Sequence, residues 1–124
     1  MKAGVISIAA ILNKHGHGEL WFGIRNDGRV VGVEASEKSL REISQAIAAH
    51  IEPRIFPEVV LEKREGLPCV RAAFRGKDKP YFAFGRAYLR VADGDRQITA
   101  KELENMILAK NREVMHWETE TTEL

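Results

Sequence analysis

Apolar residues recur along this chain with two periods, and each change of period marks a new element. Ala3 to His15 (AGVISIAAILNKH) is apolar almost all round, with Val5, Ile6, Ile8, Ile11 and Leu12 spread over every face of a helix. A buried helix is expected there, with Gly16 as its C-cap. Val5 to Ile8 would suit a strand, but the alanine pair and the glycine stop favour helix. Gly18 to Val33 reads as a β-hairpin in which Leu20-Trp21-Phe22-Gly23-Ile24 and Val30-Val31-Gly32-Val33 bracket the turn residues Asn26-Asp27-Gly28. Its first arm is apolar at nearly every position, so this hairpin is expected to be covered on both faces and to form the centre of the fold. Gly23 and Gly32 mark bulges or close approaches of another backbone.

Ser36 is placed to cap a helix from Glu37 to about Ile51, whose inward face is Leu40, Ile43, Ile47 and Ile51, and Pro53 ends it. Glu52 to Pro57 (EPRIFP) is an extended connection. A second hairpin follows: Glu58 to Arg64, the turn Glu65-Gly66-Leu67-Pro68, and Cys69 to Arg75. Alternation turns Val70, Ala72 and Phe74 inward and Arg71, Ala73 and Arg75 outward. After the loop Gly76 to Pro80, the aromatic segment Tyr81 to Gly85 is expected to be half-buried. The strand Arg86 to Val91 has Ala87, Leu89 and Val91 inside and Arg86, Tyr88 and Arg90 outside. Asp93-Gly94-Asp95 turns the chain into the last helix, where Thr99 and Glu102 fit a capping box ahead of Leu103, Met106 and Ile107. The order αββαβββα predicts an α+β fold, helices on a mainly antiparallel sheet.

At 124 residues and 44% hydrophobic content the chain can bury one core and no more. Cys69 is the only cysteine, which excludes an internal disulfide and a multi-cysteine zinc site. No apolar run approaches the roughly twenty residues of a membrane span, and Met1 to Leu12 lacks the marks of a signal peptide, so no membrane and a cytoplasmic location are expected. Net charge is +1, but the last twelve residues (EVMHWETETTEL) hold four glutamates and no lysine or arginine. Residues 1–112 therefore carry 19 basic against 14 acidic side chains. This divides the chain into a basic domain, 1–112, and an acidic tail or linker start, 113–124.

The strongest candidate for chemistry is the basic face of Arg71 and Arg75 on one strand and Arg86, Tyr88 and Arg90 on another, fed by Lys77 and Lys79. Guanidinium groups at period-two spacing match a phosphate backbone, and a tyrosine among them offers a stacking surface for a base. A solvated sheet face would read the same way. His15 and His17 lack a third metal ligand nearby in sequence. His50, Glu52 and Cys69 resemble a zinc deaminase set without its second cysteine. Asp93 and Asp95 suit a turn better than a cation site. There is no phosphate-binding glycine loop. No catalytic residue, metal or cofactor is expected.

The run Leu12 to Gly16, Gly18 to Ile24 and Asp27 to Gly32 resembles the Schlafen-type AlbA-like domain, also called the divergent AAA domain, with its pattern AFANTxGGxLxIGVxDxGxVVG. HIEPRIFPEV (His50 to Val59) and KPYFAFGRAYLRVADGDRQIT (Lys79 to Thr99) match the later motifs, and the likeness spans about Ala3 to Ile107. The resemblance implies an Alba-like α+β fold and nucleic-acid binding, DNA ahead of RNA, as the N-terminal module of a transcriptional regulator with further domains downstream. It also implies a homodimer. Nuclease members of the family place two glutamates on a strand before the first helix and an acid after the GxxxxGV strand. This sequence starts at the helix and has Arg25 and Asn26 after Ile24, so a binding module is expected, not an enzyme. The alternatives are a protein-interaction or dimerisation module, engaging a partner through a sheet edge or the Trp117 region, and a residual metal-dependent nuclease.

Overall fold

The computed structural model describes residues 1–25, 27–34 and 36–123, with side chains as far as residue 112. Helix α1 (Lys2–His15) is the central element. Its residues Val5, Ile8, Ala9, Ala10 and Leu12 are wholly buried because sheets lie on two sides of it. Strand β1 (His17–Phe22) packs on one side, and β5 (Phe82–Ala83), β6 (Arg86–Val91) and β7 (Gly94–Gln97) pack on the other. Gly16 closes the helix at φ 79°, a left-handed conformation that glycine adopts without strain, and its N–H donates to the Leu12 carbonyl.

All sheet pairing is antiparallel, in two sheets where one was expected. The first runs β1-β4-β3, with β3 (Glu58–Arg64) and β4 (Leu67–Arg75) joined by the tight turn Glu65-Gly66. The second runs β2-β5-β6-β7, where β2 is Ile51–Glu52. Helix α2 (Glu37–His50) is capped by Ser36, whose hydroxyl accepts from the Ser39 N–H at 3.3 Å, and it buries Ile43 and Ile47. Helix α3 (Ala100–Glu123) opens on the expected box: Thr99 Oγ1 accepts from the Glu102 N–H, and Glu102 Oε1 accepts from the Thr99 N–H. Among the described residues no helix is long and apolar enough to cross a membrane. The Trp117 side chain lies outside the described ones. The α+β fold is as the pattern of elements predicts.

Four local expectations are corrected. The hairpin at Gly18–Val33 is not the centre of the fold, and Val30–Val33 is not a strand. Only a single bridge, Ile24 to Val30, forms. Gly23 at φ 104° turns the chain out of β1, and its carbonyl accepts from the N–H groups of both Val31 and Gly32. A Cβ on Gly23 would lie 3.1 Å from the Gly32 backbone and from Cys69 Sγ, the close approach that the glycines signalled. β1 pairs with β4 instead. Its outward Trp21 is half-buried under Arg64, whose guanidinium sits 4.3 Å from the ring centroid, rather than under a second layer.

The second correction concerns β6. Ala87 is buried as expected, but Tyr88 also packs against the core and Val91 is 50% exposed. Arg90 is tolerated beside α1 because it ends on Asp95 at 2.8 Å, and Asp95 in turn accepts from Ser7 Oγ of α1. The third is Asp93-Gly94-Asp95: the chain reverses at Ala92, at φ 55°, and Asp93, and then returns as β7 before reaching α3. Tyr81, expected to be half-buried, is fully buried.

Candidate nucleic-acid interface

The chain leaves α1 at Gly16 and enters β1 at His17, which stands opposite Arg75 at the end of β4. The Gly76 N–H donates to the Gly16 carbonyl at 2.9 Å, so the start of β1 and the exit of β4 are tied together. Residue 76 must be glycine, because a Cβ there would collide with the Tyr81 hydroxyl. That hydroxyl accepts from the Asp78 N–H at 3.0 Å and holds the loop carrying Lys77. The third wall is the connection after β2. Ile55 is buried and anchors it, so its neighbours Arg54 and Phe56 are turned to solvent.

Phe56 is 84% exposed, the most exposed large apolar side chain among the described residues. The Arg54 guanidinium lies 5.4 Å from its ring centroid. Two open clefts of about 650 and 670 Å³ adjoin at this ring and share His17, Phe56 and Arg75. One adds Arg54 and Lys77, with Asp78 as its single carboxylate. The other runs onto the outward face of the first sheet and adds Glu19, Glu58 and Ala73. Arg54, Arg75 and Lys77 are in no ion pair among the described residues, so their charge is available to a ligand.

The residues nominated from sequence are divided by this geometry. Arg75 and Lys77 stand in the basic cleft, and Lys79 is exposed farther along the same loop. Arg71 shares the outward face with Arg75 but is enclosed by Glu62 at 2.9 Å, Glu58 at 3.5 Å and Glu19 at 3.7 Å. The Glu62 hydrogen bond, with the fields of the three carboxylates, raises its pKa above the usual arginine value. Arg86, Tyr88 and Arg90 belong to the other sheet, so no single face joins them to Arg71 and Arg75. Arg86 is exposed, Tyr88 packs on the core and Arg90 is held by Asp95. Sequence reasoning missed His17, Arg54 and Phe56. The available signal was Phe56 next to Pro57 in a short extended connection, where alternation about one buried residue exposes both neighbours.

Among the described residues no three His, Cys, Asp or Glu side chains converge as a metal site. No curated protein matches the chain. Among solved structures, the DIP2311 protein from Corynebacterium diphtheriae is similar, with a TM-score of 0.64 and 25% identity over 76% of this chain. The chain spans 16% of that protein's length. The N-terminal domain of an ATP-dependent DNA helicase RecG-related protein from Nitrosomonas europaea shares the fold, with a TM-score of 0.55 and 24% identity over 80% of this chain and 76% of that one. The family model described as Schlafen, AlbA_2 matches residues 5–99, from helix α1 to the Thr99 cap, and the chain therefore belongs to that family.

Proposed function

We propose that this domain binds nucleic acid, DNA ahead of RNA, mainly through phosphate contacts and without catalysis, as a module of a cytoplasmic transcriptional regulator that carries further domains. The observation behind this is the basic cleft: Arg54, Arg75 and Lys77, beside His17 and an exposed aromatic ring, with one carboxylate among them. Unpaired cations around a concave surface give sequence-independent affinity for a polyanion, and that affinity falls with salt as counterions are displaced. The family's association with nucleic acid supports the same reading.

The test is fluorescence anisotropy with labelled single-stranded and duplex oligonucleotides at two salt concentrations. The double variant Arg75→Ala/Lys77→Ala is expected to weaken binding and to reduce the slope of log K against log salt by roughly two. An unchanged slope in the folded double variant, or no binding by the wild type at low salt, would overturn the proposal. Magnesium and manganese in the same samples should leave the oligonucleotides uncut. We further propose a homodimer, because both sheets end in open edge strands and such edges are commonly paired. A monomer by light scattering at high micromolar concentration would count against it.

A further inference from the structure

We infer that the paired clefts around Phe56 hold an unpaired base of a single-stranded nucleic acid, stacked on that ring, with the flanking phosphates on Arg54, Arg75 and Lys77. This deepens the nucleic-acid reading above and rests on it. Leaving a phenylalanine 84% exposed forgoes burial of one of the largest apolar side chains, and among the described residues the ring's one aromatic or cationic partner is Arg54. Arg54 lies beside it, and the ring projects where the two clefts meet.

The clefts differ in character, and the difference selects the occupant. On the Lys77 side three permanent cations face one carboxylate, which suits phosphate. On the sheet side Ala73 stands between Glu19 and Glu58, with His17 and Arg75 at one end, and the two carboxylates lie 3.7 and 3.5 Å from Arg71. Glu19 and Glu58 offset the charge of Arg75 there, so phosphate is favoured less than beside Lys77, whereas a neutral aromatic base is not penalised, and its exocyclic amino group can donate to a glutamate. A ligand must therefore alternate anionic and neutral planar parts across one protruding ring. Single-stranded nucleic acid does so. A duplex does not, because each of its bases is already stacked on its neighbours and offers no free face without being flipped out.

The probes are a short oligo(dC), an abasic strand of equal length with the same phosphates, and the dC·dG duplex, titrated against wild type, Phe56→Ala and Phe56→Trp. The wild type should prefer oligo(dC) to both other probes by about 10-fold. Phe56→Ala should lose about 5- to 50-fold for oligo(dC) and little for the abasic strand, while Phe56→Trp retains the preference. The ring is exposed, so both variants should fold, which circular dichroism verifies. Equal affinity for oligo(dC) and the abasic strand, or an indifferent Phe56→Ala, overturns the inference. If binding nonetheless falls with salt, the phosphate reading survives that failure. Binding of polyglutamate with none of the three nucleic acids would overturn both.

Discussion

Asn13 is the only buried amide or charged side chain among the described residues, and both ends of its amide are bonded. Nδ2 donates to the carbonyls of Tyr81 at 2.9 Å and Tyr88 at 2.8 Å, and Oδ1 accepts from the Tyr81 N–H at 2.6 Å. One side chain thus supplies the partners that the backbones around β5 and β6 lack where they meet α1. Asn13→Ala would leave three backbone groups unpartnered and should cost about 2–4 kcal/mol by chemical denaturation. A loss below about 1 kcal/mol would mean that water replaces the amide. None of this is visible in the run Asn13-Lys14-His15-Gly16-His17, which reads as a polar turn, because the partners lie 68 and 75 residues away. The same limit separates Arg71 from Arg75. Both alternate outward on one strand, but the carboxylates that occupy Arg71 come from the neighbouring strands β1 and β3.

Elements were legible where a pattern ran for several periods. Helix α1 was recognisable as buried, α2 by its single apolar face, and α3 by its capping box. The strands β2, β5 and β7, of two to four residues, carry too few alternations to be read. The valines after Gly28 are β-formers diverted by Gly32 at φ 74°, and Val33 bonds to the Pro68 carbonyl rather than to a hairpin partner. In β6 both faces are covered in part: Ala87 is buried as its position predicts, while Tyr88 also packs against the core and Arg90 lies along its apolar stem and ends on Asp95. Tyr88→Ala should therefore cost about 2–4 kcal/mol, whereas Val91→Ala should stay below about 1 kcal/mol. A reversed ranking in urea titration would restore the original facing. The opening of α3 predicts a pH dependence. Hydrogen bonds from Arg96, at 2.7 and 2.9 Å, and then from Thr99 lower the Glu102 pKa from 4.5 to about 2. A pKa depressed in the folded state stabilises it at pH values above 4.5, and that contribution is lost as pH falls toward 2. The stability difference between wild type and Glu102→Gln should shrink over this window and vanish near its lower end. A difference independent of pH would show that the carboxylate's charge contributes nothing.

For the whole molecule, formal charge is a poor guide to the field that a ligand meets. Residues 1–112 carry an excess of basic side chains, but Arg71, Arg90 and Arg96 each have a carboxylate within 3 Å, so much of that excess is spoken for inside the fold. The cations left over in one place are those at the junction of α1, β1, β4 and the connection after β2, where two segments distant in sequence meet. Long-range pairing, rather than count, decides where a polyanion is attracted. This ranks the arginines in an order that their spacing alone would not. Arg75→Ala should weaken oligonucleotide binding and reduce the magnitude of the salt slope by roughly one, whereas Arg71→Ala should leave the slope unchanged. The pair Arg86→Ala/Arg90→Ala provides the opposite control, because those residues sit on the second sheet and one of them is already neutralised by Asp95. If that pair, folded by circular dichroism, reduces the slope as much as Arg75→Ala/Lys77→Ala, the ligand lies along β6 and the cleft around Phe56 is not where it binds.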